Sequence, residues 1–294
     1  MSVYMISVVI PHYKDRVRLM FLLEQLGNQT LAPNFWEVLV VNNDPYLPLA
    51  LPKDFSVSYK LKLMEEPKPG SYAARNRGIS EAQGDIIAFT DSDMLPNPEW
   101  LAVAFDKFKS DNKKEIGILT GPVPLYYRYP DNLTPSEIYE KYTGFDFEGY
   151  AKEGATGAGN WFSYKSVLEE FGCYREDLKS NGDTELSLRI TSKYRIEYLP
   201  ELENRHPARH SIEDLVLRYR RILGGTYSRR FSSSQLGFLA HTGNFILRRY
   251  RFAFKKLFTL TSKESLAILR VCNAINLGAV KEYFHLVRGG ETKR

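Results

Sequence analysis

Over the first 120 residues, short β-branched apolar runs alternate with stretches of helical spacing, and that alternation leaves few folds open to the chain. Residues 5–10, Met-Ile-Ser-Val-Val-Ile, predict a buried strand that stops at Pro11, a residue with no N–H for a ladder. Val17, Met20, Phe21, Leu23 and Leu26 then recur at helical spacing up to Gly27. Residues 36–41 form a second apolar run ending in the turn cluster Asn42-Asn43-Asp44-Pro45. A third strand is expected at 59–65, and a helix at 72–83 with Ser71 as N-cap and Gly84 as terminator. A fourth strand follows at 85–89, a helix at 99–109 and a fifth strand at 116–120. This order predicts an α/β fold, a Rossmann-like and mostly parallel sheet with helices on both faces, whose ligands sit beyond the carboxyl ends of the strands.

Further along, 125–154 carries six tyrosines and two prolines and reads as irregular apart from a short helix near 136–142. The glycine-rich run Gly154-Ala-Thr-Gly-Ala-Gly159 precedes expected helices at 165–171 and 183–192. After His206 the texture changes to basic, aromatic, helix-prone segments, which predicts a separate C-terminal helical region. Charge marks the same division. Residues 1–204 hold 22 basic and 30 acidic side chains, whereas 205–294 hold 18 basic and 5 acidic. Cys173 and Cys272 form neither a paired framework nor a metal-ligand spacing, which fits a reducing compartment. Residues 1–10 lack a basic, apolar leader pattern, and no segment reaches about 18 uncharged apolar residues. The expectation is a cytoplasmic protein that does not span a membrane.

Chemistry concentrates at the end of the fourth expected strand, in Thr90-Asp91-Ser92-Asp93. Two carboxylates two residues apart at a strand end can reach one cation. Hard oxygen ligands suit Mg²⁺ or Mn²⁺, which keep positions open for substrate phosphates. By itself an Asp-x-Asp is equally compatible with a solvated loop capping the next helix. Upstream, Arg75 and Arg77 lie in the first turns of the 72–83 helix, whose N-terminus favours anions. Arg75 suits charge-assisted contacts with phosphate, and Arg77 reads as an ordinary helix arginine. Trp161 offers a ring for an acceptor sugar or for packing, and Asp183 opens a helix, where an N-cap is the ordinary role.

Taken in order, Ser7-Val-Val-Ile-Pro11-His-Tyr13, Ala74-Arg75-Asn76-Arg77-Gly78-Ile79, Gly84-Asp85-Ile86-Ile87-Ala88-Phe89-Thr90-Asp91-Ser92-Asp93, Gly159-Asn160-Trp161-Phe162 and Gly182-Asp183-Thr184-Glu185-Leu186 resemble the family 2 inverting glycosyltransferases of GT-A fold. The likeness spans roughly residues 5–206. It implies a catalytic domain at 1–205, divided into a nucleotide-sugar half at 1–122 and an acceptor half at 123–205, and a basic helical region at 206–294. It further implies that Pro11, Tyr13, Asn42, Asp44, Arg75, Asp91 and Ser92 border the nucleoside-diphosphate sugar, and that Asp93, Asp91 and His206 hold Mn²⁺ or Mg²⁺. Asn160, Trp161 and Glu185 would flank the acceptor, with Asp183 as catalytic base. The implied reaction moves a sugar to an acceptor hydroxyl, and the basic tail alone points to a glycan or lipid-linked acceptor near a membrane. Two positions depart from the family pattern: Asn42 stands where an acidic residue usually meets the base, and Gly182 stands where an acidic residue often precedes the catalytic one. No Gln-x-x-Arg-Trp motif occurs, which argues against a processive synthase.

In the C-terminal region, 245–258 as a helix would place Ile246, Tyr250, Ala253, Phe254 and Leu257 on one face and Arg248, Arg251 and Lys255 on another. Such a helix suits the interface of an anionic membrane, which predicts peripheral association with the inner face, or else packs its apolar face on the rest of the chain. Two other readings stay open at this level: a nucleotidyltransferase of the same α/β order, and a non-enzymatic module gripping nucleic acid with its basic tail. The second leaves Asp91, Asp93 and Asp183 unexplained.

Overall fold

A computed structural model describes residues 5–293. Residues 1–4, part of the stretch read above as lacking a leader, and residue 294 lie outside the described residues. In chain order the elements are β1 (Ile6–His12), α1 (Arg16–Leu26), β2 (Trp36–Asn42), β3 (Lys60–Glu65), α2 (Ser71–Glu81), β4 (Ile86–Phe89), β5 (Leu95–Pro96), α3 (Trp100–Ser110), β6 (Ile116–Thr120), β7 (Leu125–Tyr126), α4 (Pro135–Lys141), α5 (Phe147–Lys152), β8 (Trp161–Tyr164), α6 (Lys165–Glu170), α7 (Gly182–Thr191), β9 (Arg195–Tyr198), β10 (Asn204–Pro207), α8 (Ile212–Arg230), α9 (Gln235–Leu257) and α10 (Ser262–Val287). They form two compact units. One comprises Met1–Pro124, Phe145–Asp177 and Gly182–His206, the other Leu125–Gly144, Leu178–Asn181 and Pro207–Arg294.

The first unit holds a seven-stranded sheet in the order β3-β2-β1-β4-β8-β6-β9. β1 pairs in parallel with β2 and β4, β2 with β3, and β6 with β9, whereas β8 runs antiparallel between β4 and β6. Strand composition follows position. β2, Trp-Glu-Val-Leu-Val-Val-Asn, is buried along its whole length, as a strand with neighbours on both sides and both faces covered must be. The outermost strands β3 and β9 are only partly buried. Each fully buried Val, Leu or Ile contributes about 1.5–3 kcal/mol, so β1, β2 and β4 anchor the unit. At the amino end of these strands, buried Glu37 accepts from Ser7 Oγ (2.8 Å) and Gln83 N–H (2.7 Å), and Ser7 Oγ accepts from Gly84 N–H (2.8 Å). A Cβ at Gly84 would lie 2.5 Å from the Met5 carbonyl, so this glycine permits a backbone approach. It does not end α2, which stops at Glu81.

Two local expectations need correcting, and one strand was not anticipated. β1 continues through Pro11 to His12, because β4 pairs with it only as far as Val9, leaving no ladder on that side for Pro11 to break. The N-cap of α2 is Gly70, at φ 133°, and Ser71 is the first helical residue. β8, four residues long, gave no periodic signal, yet it sits mid-sheet with all four residues buried.

The second unit is helical. Ile138 and Tyr139 of α4 join Leu215, Ala253, Ile268, Val271, Cys272 and Ile275 in one core, and Leu223, Phe238, Ala279 and Leu286 form another. This shifts the expected boundary at 205/206, since α4 belongs with the basic helices. Its buried Glu140 accepts from Arg209 (2.7 Å) and Arg218 (3.2 Å), and buried Glu137 lies 3.3 Å from His210. Residues 125–144 therefore supply the acids that part of the basic segment requires. The face expected on α9 is divided: Ala253 is buried, while Tyr250, Phe254 and Leu257 are exposed.

Candidate active site

All predicted catalytic and metal residues lie in the first unit, around the carboxyl ends of β1, β2 and β4 and the start of α7. Arg75, one turn into α2, is 4 % exposed and donates from Nη2 to Asp91 Oδ1 at 2.5 Å. Burial works against its charge, but facing Asp91, with Tyr174, Tyr72 and Asp183 nearby, more than offsets this and holds the guanidinium above its ordinary pKa. It is therefore a fixed cation. The Tyr174 ring lies 5.8 Å from it, stacks on Tyr72 (5.3 Å, 11°) and meets Phe89 edge-on (5.5 Å).

Asp183 occupies the first turn of α7. Its Oδ1 accepts from Thr184 N–H (3.1 Å), and its carbonyl accepts from Ser187 Oγ (2.8 Å). Burial raises its pKa above the ordinary carboxylate value, against the opposing pull of Arg75 and of backbone N–H groups. A carboxylate so placed keeps affinity for a proton, which a general base requires. Two glycines keep the space beside the acids clear: a Cβ at Gly157 would lie 3.7 Å from Asp183 Oδ2, and one at Gly159 would lie 3.7 Å from Asp91 Oδ2.

The start of α7 is held from α2. Gly182 N–H donates to the Tyr72 hydroxyl at 2.8 Å, and a Cβ at Gly182 would sit 2.7 Å from the Tyr72 ring. The departure at Gly182 thus has a steric reason: Tyr72 fills the place an acidic side chain would need. Gly182→Asp is expected to lower kcat about 10- to 100-fold with the donor KM within about twofold, because displacing α7 misaligns Asp183 without touching the donor contacts. Steady-state kinetics check this. Adding Tyr72→Ala to Gly182→Asp should restore part of the loss, and failure of any rescue would refute the clash.

Asp93 Oδ2 lies 3.9 Å from His206 Nε2 and 3.5 Å from Arg18 Nη1. His206 is 8 % exposed and its ring meets Phe145 edge-on at 5.1 Å. Asp93 and His206 are spaced to share one cation, while Asp91 is turned to Arg75. No group of three or more His, Cys, Asp or Glu that could hold a metal occurs among the described residues. A divalent ion that retains water and substrate phosphates among its ligands is compatible with such a two-residue set.

At the nucleoside end, Pro11 is half-buried and Tyr13 43 % exposed, with Lys14 Nζ 4.9 Å from its ring. The Asn42 carboxamide nitrogen donates to Leu47 O (2.9 Å) and Glu65 Oε2 (2.8 Å), so it braces the 43–49 loop. Asp44 is buried and accepts from Tyr46 N–H (3.1 Å). Ser92 is half-buried between the two aspartates.

The acceptor-side residues fare differently. Asn160 is buried, accepting from Trp100 Nε1 (2.8 Å) and donating to Leu202 O (2.7 Å). Trp161 is fully buried in β8, donating to Ser163 Oγ (2.6 Å). Neither has surface left for an acceptor, Asn160 because its buried carboxamide is spent on Trp100 and Leu202 and Trp161 because β8 lies mid-sheet, so both expectations are corrected. Glu185 is engaged by Arg189 at 2.9 and 3.0 Å.

Residues 7–170 match the sequence profile described as "Glycosyl transferase family 2". The chain belongs to glycosyl transferase family 2. Its curated relatives include glycosyltransferase AglE of Haloferax volcanii, 32 % identical over 222 residues, covering 73 % of this chain and 71 % of that protein. Among solved structures, the Pyrobaculum calidifontis mannosyltransferase PcManGT, in complex with GDP-Man and Mn²⁺, superposes with a TM-score of 0.60 at 16 % identity. That match covers 97 % of this chain and 87 % of that one. Staphylococcus aureus TarS 1-349 with UDP-GlcNAc gives 0.52 at 16 % identity, covering 97 % and 92 %. At those identities the likeness is one of fold, and it accords with the expected α/β architecture. Family membership makes the protein a glycosyltransferase and removes the nucleotidyltransferase and non-enzymatic readings.

Sequence reasoning about this family 2 transferase missed three residues. Tyr72 and Tyr174 frame Arg75, and buried Asn204 donates to Thr90 Oγ1 (2.9 Å) and Gly159 O (2.7 Å), tying the loop before Asp91 to the glycine-rich run. The Tyr174 hydroxyl finds no hydrogen-bond partner among the described residues. Only the placement of Tyr72 three residues before Arg75 was visible in advance, as the one-turn spacing of a helix.

Proposed function

We propose that this chain is an inverting, non-processive glycosyltransferase that moves a sugar from a nucleoside-diphosphate donor to a hydroxyl of a glycan or lipid-linked acceptor, with Asp183 as general base. The carrying observation is the buried guanidinium of Arg75, bonded to Asp91 and close enough to Asp183 to pull its pKa down. One fixed cation thus links the expected donor side to a proton-accepting carboxylate. In the reaction Asp183 takes the acceptor hydroxyl proton as the oxygen attacks the anomeric carbon. The bond from that carbon to the diphosphate oxygen breaks on the opposite face, and nucleoside diphosphate leaves. Arg75 holds Asp91 in place for the donor and excludes water from the wall behind it.

Asp93 and His206 would hold a divalent ion, Mn²⁺ or Mg²⁺, and the fold neighbour carrying Mn²⁺ supports a metal of that class. Bound there, such an ion neutralises charge on the departing diphosphate. The neighbours with GDP-Man and UDP-GlcNAc support a nucleotide-sugar donor of either nucleoside. Because Asn42 is committed to its own loop, Asp44 and Tyr13 are the residues from which base recognition is expected.

Incubation with a panel of sugar nucleotides and Mn²⁺ tests the reading. Nucleoside diphosphate and a product of inverted anomeric configuration are expected. Release of pyrophosphate, or retention of configuration, would overturn it.

A further inference from the structure

In the helical unit, α9 carries two apolar faces and no carboxylate, whereas α10, which also exposes Leu266, Leu277 and Phe284, carries Glu264 and Glu282. One face of α9, with Phe238, Thr242, Phe245 and Ala253, packs into the unit. The other is turned outward: Leu236 is 81 % exposed, Leu247 47 %, Tyr250 42 %, Phe254 61 % and Leu257 44 %. Their spacing of three, four and seven or more residues keeps them on one side of the helix. Ala240 and Gly243, both exposed, fall on the same row, and a Cβ at Gly243 would meet nothing within 4 Å. The row continues past the helix to Phe258, 74 % exposed.

Arg248, Arg251 and Lys255 each follow a residue of this row by one position, so they form a cationic border along one edge. All three are exposed, and no ion pair engages them among the described residues. The sequence contains no acidic residue between Asp214 and Glu264. No helix among the described residues is long and apolar enough to cross a membrane.

We propose that this outer face of α9 seats in the headgroup region of an anionic lipid bilayer, lying in its plane with Leu236, Leu247, Phe254 and Leu257 in the acyl boundary and the basic border against lipid phosphates. Such a helix combines a wide apolar row with a purely cationic polar edge, the two terms that drive interfacial binding. At 23 residues it offers about 35 Å of continuous contact. A second copy of the chain fits less well, because two such faces would bring cationic borders together with no carboxylate in α9 to answer them. Nucleic acid would use the cations but leaves the exposed leucines and phenylalanines without a role. The proposal goes beyond the catalytic reading and does not depend on it.

Flotation of the full chain tests it, using vesicles of phosphatidylcholine alone and of equal parts phosphatidylcholine and phosphatidylglycerol. The expected result is binding to the mixed vesicles, about tenfold weaker binding to phosphatidylcholine, and a loss of about tenfold or more for Leu247→Asp with Phe254→Asp. Both substituted side chains are exposed, so folding, checked by circular dichroism, and donor hydrolysis should stay at the parental level. A charge-reversed Arg248→Glu, Arg251→Glu, Lys255→Glu chain should lose the preference for the anionic lipid. Flotation with neither vesicle, or equal flotation of parent and Leu247→Asp/Phe254→Asp chain, overturns the proposal. So does a parental dimer that this variant splits in the absence of vesicle binding, or retention on single-stranded RNA with no flotation. Absent hydrolysis with intact flotation would count against the catalytic reading alone.

Discussion

Asp183→Asn is expected to lower kcat by about 10²- to 10⁴-fold, the range that loss of a positioned general base costs, while leaving donor binding within about twofold. Asparagine keeps the bond from Thr184 N–H and the shape of the side chain but cannot take the acceptor proton. Single-turnover transfer, with donor affinity measured separately by titration, checks both halves. Unchanged turnover would remove Asp183 from its role. The raised pKa adds two consequences. In the native enzyme, kcat/KM should rise with pH through one ionisation lying above the ordinary aspartate value of about 4, because the base acts only when ionised. Stability moves the other way. A folded-state pKa above the unfolded value means that the fold favours the protonated form, so this group costs stability once pH exceeds about 4, and the cost grows until pH passes the folded value. Asp183→Asn should therefore melt at or above the parental temperature at neutral pH and gain nothing at pH below about 4. A lower melting temperature at neutral pH would contradict the burial argument.

Chelation of divalent cations is expected to reduce transfer about 10³-fold, corresponding to roughly 4 kcal/mol of charge stabilisation, with restoration on adding back Mn²⁺ or Mg²⁺. Asp93→Ala should reproduce the loss in the presence of excess metal, since it removes the carboxylate that His206 Nε2 faces at 3.9 Å. Asp91→Ala should behave differently. It leaves Arg75 buried without its carboxylate, so it is expected to destabilise the protein by about 2 kcal/mol, below the cost for a fully buried pair because the Asp91 side chain is 42 % exposed. Metal titrations of activity and thermal melts of both variants distinguish the two roles. Full transfer by the Asp93→Ala chain in chelator would sink the metal assignment.

These contrasts depend on which parts of the site the sequence could display. Asp91, Asp93, Arg75 and Asp183 were legible because each sits at the end of a strand or the start of a helix, where local pattern marks the position. Trp161 and Asn160 were misjudged for a related reason. They follow a glycine-rich run that looks like a loop, but β8 is drawn into mid-sheet, where Phe89 of β4 pairs with Trp161 and Leu119 of β6 pairs with Phe162. The burial of a four-residue strand is decided by its neighbours, which lie some 40 to 70 positions away.

The division of α9 teaches the same lesson at larger scale. Helical spacing identified the segment and its basic residues, yet both of its apolar rows satisfy that spacing, and only packing against Leu223, Ile268 and the rest of the helical cores selects which is buried. Likewise the tyrosine-rich stretch with α4 reads in sequence as part of the acceptor half, and only the pairing of Arg209, Arg218 and His210 with Glu137 and Glu140 places it with the helices.

From sequence alone came the alternating α/β order, the parallel inner strands and the identity of the charged groups. Strands covered on both faces must be apolar throughout, and turns, caps and carboxylate pairs are local in the chain. The tertiary structure alone decided the antiparallel insertion of β8, the assignment of α4 to the helical unit, and the coupling of Tyr72 to Gly182 across 110 residues. Each of these rests on steric fit or desolvation between distant segments, and no local period in a sequence carries that information.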